Sequence, residues 1–314
     1  MAKILINDGI HESGLKLLKD KGFDVSIDKI PQEKLEEELP NFDAICVRSA
    51  TKVRQDLIEK CPNLKVIGRG GVGLDNIDVD FARSKGIQVI NTPAASSRSV
   101  AELAFAHLLS LARFLYKSNR HMPEHGREEF KALKKSYSKG FELAGKTMGI
   151  IGMGRIGQET AQIALGMGMK VLAVDPYVDK ATLKMDIAGQ PIESIIETVP
   201  MAEMLSNADV VSLHIPFTGQ AVLTQADFNM MKDGAILINA SRGGTVNEPA
   251  MLEALDNGKL SAAGLDVFED EPKPREEILN HPNISLTPHI GASTGEAQEK
   301  IGLELAEKLI ELLS

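Results

Sequence analysis

The sequence predicts an α/β protein built from two doubly wound parallel-sheet domains, and three observations predict it. Short, nearly continuous runs rich in Ile and Val recur between helical patterns, as strands covered on both faces require. The series pauses after residue 91 and resumes at 145, giving two successions of strand, helix, strand. The length of 314 residues exceeds what one core of about 150 residues supports.

The first series comprises KILIN at 3–7, DAICV at 43–47, LKVIG at 64–68 and IQVIN at 87–91. The segment 99–121 follows with helical apolar spacing, and Ser99 with Glu102 forms a capping box, so one long helix bridging the domains is expected. The stretch 121–140 is polar and poorly periodic and reads as an exposed loop that reaches a neighbouring subunit. From 145 the strand candidates are TMGIIGM, KVLAVD, ADVVSLHI, AILINAS, AAGLDVF and ISLTP. The last segment is an amphipathic helix opened by Ser293 or Thr294 as its cap, folding back on the first domain. The expected division is 1–97 with 291–314 for one domain and 98–290 for the other.

Composition narrows the function classes. With 43% hydrophobic and 25% charged residues the chain is ordinary for a globular protein. No apolar run reaches the roughly 18 residues of a membrane span. The opening MAKILINDG lacks the basic start and long apolar run of a signal peptide, so a cytoplasmic location is expected. A net charge of -9 with no basic block argues against nucleic acid or an anionic membrane as partner, while a local cationic pocket for a small acid stays open. Cys46 and Cys61 fit neither a disulfide framework nor a zinc spacing; both read as packing residues, with a reactive thiol as the alternative, and no metal is expected.

Two segments match G-x-G-x-x-G: GRGGVG at 68–73 and GMGRIG at 152–157. A dinucleotide loop needs a preceding strand, glycines that admit a pyrophosphate, a helix N-terminus facing that anion, and an acid about 20 residues on for the ribose. The second segment has all four. TMGII precedes Gly152, Gly154 and Gly157, a helical pattern follows, and KVLAVD ends at Asp175, whose carboxylate suits ribose hydroxyls and repels a 2'-phosphate; NAD is the expected cofactor. The first segment leads instead to a strand ending in Asn91. Its turn still exposes backbone N–H groups, and Arg69 within it and Arg48 after DAICV would suit a carboxylate or phosphate. The alternative is that these arginines are surface ion-pair partners of acids such as Asp75 or Asp78.

Hydride transfer from a secondary alcohol needs a base, a cation for the substrate acid group, and a group that tunes the base. Arg242 after AILINAS, Glu271 in DVFEDEP and His289 in LTPHIGAS could fill these roles; singly, each also reads as an ion-pair partner, a turn or a capping residue. The other histidines, at 11, 107, 121, 125, 214 and 281, show no comparable pairing in the sequence.

With VRSATKV, GRGGVGLDNID, GMGRIG, SRGG, GLDVFEDEP and PHIGAST in this order, nearly the whole chain resembles the D-isomer-specific 2-hydroxyacid dehydrogenases, and among them the phosphoglycerate-oxidising branch that begins serine biosynthesis. The resemblance implies a Rossmann NAD domain inserted into a flavodoxin-like substrate domain. It implies a triad in which His289 exchanges the hydroxyl proton, Glu271 orients the ring and favours the imidazolium, and Arg242 grips the carboxylate and 2-oxygen. For NAD it implies Gly152, Gly154, Arg155, Ile156, Gly157, Asp175, His214, Pro216, Thr218, Ala240, Ser241, Asp266, His289 and Gly291, with Asp266 facing the nicotinamide. For the substrate it implies Arg48, Ser49, Arg69, the amides of Gly70 and Gly71, and Arg242.

The cationic pair points to a phosphorylated acid, whereas glyoxylate, hydroxypyruvate and lactate enzymes of the family share the triad without a phosphate site. A homodimer is implied too, its surface at 99–140. Where the phosphoglycerate enzymes carry an arginine contributed across that dimer, this sequence has Lys135 or Ser136, and a lysine keeps the charge without the bidentate fork. The chain ends after the helix that completes the dehydrogenase core, so no serine feedback is expected. The rival of another class is an NAD-binding corepressor of the C-terminal-binding kind, which acts through partners.

Overall fold

The computed structural model describes residues 2–314. The chain divides into two compact units: the stretch ending at Ser99 together with Ala292–Ser314, and Val100–Gly291. These boundaries lie one or two residues beyond the expected ones.

The first unit holds five strands, β1 (Lys3–Ile6), β2 (Asp24–Ser26), β3 (Ala44–Val47), β4 (Val66–Arg69) and β5 (Gln88–Asn91). They form one parallel sheet in the order β2-β1-β3-β4-β5. This is the flavodoxin-like order, and its reversal between β1 and β3 opens a crevice at the C-terminal ends of those strands. Both faces are covered, which is why the strands read as continuous apolar runs. Leu5, Ile45, Val47 and Ile67 pack with Leu35 and Leu39, while Ile4, Ile6, Cys46 and Val66 pack with Leu18, Leu305 and Leu309. The C-terminal helix Gly295–Leu313 therefore belongs to this unit, and Thr294 Oγ1 caps it by accepting from Ala297 N at 3.2 Å. Cys46 and Cys61 are buried packing residues, and burial lifts their thiols to about 12 and about 11.

The second unit holds β6 (Thr147–Ile151), β7 (Lys170–Val174), β8 (Lys180–Ile187), β9 (Gln190–Glu197), β10 (Val210–Leu213), β11 (Ala235–Asn239), β12 (Leu260–Leu265) and β13 (Ile284–Leu286). Six of them form a parallel sheet in the order β13-β12-β11-β10-β6-β7, reversing between β6 and β10. A short parallel bridge from Ala173 to Thr198 extends the β7 edge. This is the Rossmann arrangement, with its ligand crevice at the ends of β6 and β10.

Three expectations need correction. The hairpin β8–β9 is antiparallel, an element that the reading of parallel sheets alone did not contain. It closes through Ala188 and Gly189 at φ 54° and 80°, two consecutive left-handed positions of the kind that match the twist of paired strands. The expected single helix over 99–121 is two: Ser97–Ala112 and Leu115–His125, bent by 56° where Phe114 adopts φ 54° and interrupts the hydrogen-bond ladder. The expected loop 121–140 is partly helical, since the second of these helices runs on to His125 and another spans Phe130–Ser136, whose Leu133 is buried. No single helix among the described residues is long and apolar enough to cross a membrane.

Candidate active site

In the second unit, the chain leaves β6 at Gly152 with φ 98° and enters the helix Arg155–Gly166 at Gly154. A Cβ on Gly157 would stand 1.9 Å from Gly152 O, so the turn closes only without one. A Cβ on Gly154 would meet nothing within 4 Å. That helix start carries no side-chain cap, which leaves the first-turn N–H groups, those of Arg155, Ile156 and Gly157, without a side-chain acceptor, as the N-terminus of a helix that meets an anion requires. Asp175, just past β7, holds the loop: Oδ2 accepts from Met153 N at 2.7 Å and Oδ1 from Tyr177 N at 2.8 Å. Glycine turn, uncapped helix and carboxylate fit a dinucleotide.

His214 follows β10, and its backbone N–H donates to Ile151 O at 2.8 Å, fixing it beside the glycine turn. Thr160 directs its hydroxyl proton to Ile156 O at 2.9 Å, and His214 Nε2 meets both Ser212 Oγ at 3.0 Å and Thr160 Oγ1 at 3.1 Å. Burial pushes the His214 imidazole down to about 3, and it is neutral at ordinary pH. Pro216 and Thr218 follow on an exposed segment.

The ends of β11, β12 and β13 carry the expected triad. Beyond β11, Ala240 and Ser241 are buried, and Asn239 Oδ1 accepts from both Ser241 N (3.1 Å) and Ser241 Oγ (2.7 Å). Asn239 Nδ2 and Thr245 Oγ1 both donate to Arg242 O, at 3.2 and 2.7 Å, so the backbone under the arginine is braced. Beyond β12, Glu271 Oε1 accepts from Phe268 N at 3.0 Å and Oε2 meets His289 Nδ1 at 2.9 Å. Burial acts to raise the Glu271 pKa; the hydrogen bond and charge of His289, the Phe268 N–H and the Arg242 charge outweigh it and hold the carboxyl below its ordinary value. With Nδ1 on the Glu271 carboxylate, Nε2 is the ring nitrogen left to meet another group. A cleft of about 420 Å³, lined in part by Phe268, Pro272, Leu286, Pro288 and the Glu271–His289 pair, lies beside them. Asp266 accepts from Ile290 N and Gly291 N, each at 2.8 Å, and so pins the chain just after His289.

In the first unit, Arg48 follows β3 and Arg69 ends β4, and the two strands pair in a register that sets Val47 against Arg69. Asp8, beyond β1, shapes the Arg48 turn: Oδ2 accepts from Arg48 N (2.8 Å) and Thr51 N (3.0 Å), and Oδ1 from Thr51 Oγ1 (2.8 Å). Asn76 Nδ2 donates to Arg48 O and Thr51 O at 2.8 and 2.6 Å. Ser49 is exposed in this turn. Asp78, considered as a partner for these arginines, pairs with Arg54 at 2.9 Å. The Gly70 amide corrects an expectation: it donates to Val47 O at 2.9 Å, extending the sheet ladder, and is spent there instead of on a substrate. Gly71 has φ 142° and the Arg69 guanidinium lies across it. Lys135 sits in the last turn of the exposed helix Phe130–Ser136.

Sequence reading missed the supporting polar residues Asp8, Asn76, Asn239 and Thr245. A polar side chain directly after an apolar strand, as in KILIND and AILIN, is the signal that finds Asp8 and Asn239. It also passed over partners of the remaining histidines, notably His107 with Ser285 and Thr287 and His281 with Asp256, which lie far apart in the chain or on different elements.

Residues 105–291 match the family model described as D-isomer specific 2-hydroxyacid dehydrogenase, NAD binding domain. The hydroxypyruvate reductase of Thermotoga maritima is 43% identical, over 99% of this chain and 98% of its own. The D-3-phosphoglycerate dehydrogenase of Methanocaldococcus jannaschii is 41% identical over 100% of this chain, which spans 58% of that longer protein. Among solved structures, D-2-hydroxyisocaproate dehydrogenase is 29% identical with a TM-score of 0.79, covering 99% of this chain and 97% of that one. The chain belongs to the NAD-dependent D-isomer-specific 2-hydroxyacid dehydrogenases.

Proposed function

We propose that this enzyme interconverts D-3-phosphoglycerate and 3-phosphohydroxypyruvate. When bound, the nicotinamide supplies the carbon that accepts or returns the hydride. His289 takes the 2-hydroxyl proton at Nε2 during oxidation and gives it back during reduction, because its other nitrogen is held by Glu271. The Glu271 carboxylate stabilises the imidazolium formed in between. Arg242 offers its guanidinium to the substrate carboxylate and the 2-oxygen. Arg48, Arg69, the Gly71 amide and Ser49 bind the remaining anionic group, and Lys135 adds a charge from a second copy in a homodimer. Exposed Leu115 and Met122 on the helix Leu115–His125, and exposed Phe130 on the helix that carries Lys135, support that dimer surface.

The observation that carries the phosphorylated substrate is the placement of Arg48 and Arg69 at neighbouring strand ends, two cations where an unphosphorylated acid needs one. A second reading, hydroxypyruvate reduction by the same triad, is favoured by the equal-length relative of that name. The test is NADH oxidation with 3-phosphohydroxypyruvate, hydroxypyruvate, glyoxylate, pyruvate and 2-oxoglutarate, repeated in Arg48→Ala and Arg69→Ala. Preference for the phosphorylated acid, lost in both variants, is the expected result. Equal or faster turnover of hydroxypyruvate overturns the phosphate assignment and leaves the triad standing.

A further inference from the structure

Behind the Glu271–His289 pair a chain of hydrogen bonds leads to a histidine that the reaction has not so far used. His107, on the helix Ser97–Ala112, is 3% exposed and has a hydroxyl at 2.9 Å from each ring nitrogen: Ser285 Oγ at Nδ1 and Thr287 Oγ1 at Nε2. The helix lies so close to β12 that a Cβ on Gly264 would stand 2.7 Å from the Cβ of His107. Thr287 gives its hydroxyl proton to Asp266 Oδ1 at 2.6 Å. A hydroxyl has one proton, so Thr287 Oγ1 accepts from His107, which carries its proton on Nε2; Nδ1 then accepts from Ser285. Burial lowers the His107 pKa against the pull of the Asp266 charge, in keeping with a neutral ring.

The chain ends on Asp266, 1% exposed, whose two oxygens also accept from Ile290 N and Gly291 N at 2.8 Å each. These residues follow His289, which adopts φ 55°. A left-handed conformation costs a non-glycine residue roughly 1–2 kcal/mol and persists only where its surroundings hold it. Asp266 supplies that hold, and its own orientation depends on the Thr287 proton.

We propose that His107 is a positioning residue for hydride transfer: its Nε2–H fixes the direction of the Thr287 hydroxyl, which locks Asp266 onto the Ile290–Gly291 backbone and keeps His289 turned toward Glu271. This rests on the assignment of His289 and Glu271 as the acid–base pair and is independent of which 2-keto acid is preferred.

The test uses whichever keto acid the wild type reduces fastest. His107→Leu and Thr287→Val, which break the chain at successive links, are expected to lower kcat roughly tenfold or more, with the KM for the keto acid changed less than about twofold. His107→Gln and Thr287→Ser, which keep a donor and a hydroxyl, are expected to recover most of the rate. Nitrogen-15 spectra of the wild type should show His107 protonated at Nε2 alone. Unchanged kcat in both the Leu and Val variants, with only a lower melting temperature, would reduce His107 to a packing residue, and a proton on Nδ1 would break the chain as drawn. His289→Ala is measured alongside. If it keeps the wild-type rate, the acid–base assignment itself falls; if it loses activity while the His107 and Thr287 variants keep theirs, the positioning role alone is overturned.

Discussion

In the loop 152–157 a Cβ on Gly157 would meet Gly152 O at 1.9 Å, while a Cβ on Gly154 would meet no atom within 4 Å. In the loop 68–73, with the same G-x-G-x-x-G pattern, the approaches at Gly68, Gly70 and the additional Gly71 are filled from within its own unit. A Cβ on Gly68 would stand 2.9 Å from Leu305 Cδ1 and one on Gly70 3.3 Å from Ile301 Cγ2, and Gly71 lies under the Arg69 guanidinium. The first of these loops closes tightly on itself and leaves space in front of an uncapped helix start. The second uses its glycines to seat the C-terminal helix on β4 and to let an arginine fold across a turn, and the next helix begins only at Val79. A glycine pattern states that side chains are excluded; the neighbouring atoms state what excludes them.

Substitutions that add atoms to each loop sharpen this contrast. Gly157→Val carries the largest expected effect: backbone carbonyl fills the space a side chain would need, so the second unit should lose roughly 3 kcal/mol or more of stability, read from denaturant midpoints, together with NADH binding. A variant of wild-type stability would mean the turn is looser than described. Gly71→Ala comes next. Its Cβ displaces the Arg69 guanidinium at a left-handed position, and the KM for the keto acid should rise about tenfold with NADH affinity unchanged; loss of NADH affinity instead would merge the roles of the two loops.

Smaller effects probe the cofactor side. Asp175→Ser removes the charge that repels a 2'-phosphate and should raise kcat/KM with NADPH relative to NADH by about tenfold; an unchanged ratio would leave cofactor choice to other groups. A further effect is in acid. The folded-state pKa of His214 is depressed to about 3 from the ordinary 6.5, so the unfolded chain binds the extra proton between these values, and the associated stability is complete above 6.5 and lost as pH falls toward 3. His214→Asn should flatten this part of a melting-temperature profile, and an equally steep profile would assign the acid lability to other groups.

Strands were legible in the sequence because burial on both faces writes an uninterrupted apolar run, and the positions of Arg242, Glu271 and His289 beyond strand ends because each follows such a run. The cofactor loop was legible because strand, glycines, helix and acid lie within one local unit. Other features left no local trace. The bend at Phe114 comes from a left-handed residue that is not glycine, so no breaker marks it. The hairpin β8–β9 has only Gly189 as a turn signal. The fate of the Gly70 amide depends on strand pairing, and the partners of His107 lie 178 and 180 residues away in the chain.

NADH titration followed by fluorescence, with wild type, Gly154→Ala and Arg69→Ala, separates the roles of the two loops. Gly154 has open space on the protein side, so its alanine variant should fold normally and bind NADH at least about tenfold more weakly, while Arg69→Ala should bind NADH as the wild type does and show its defect only with keto acid. Weakened NADH binding in Arg69→Ala, or full affinity in Gly154→Ala, would mean that the two loops do not divide cofactor and substrate between them.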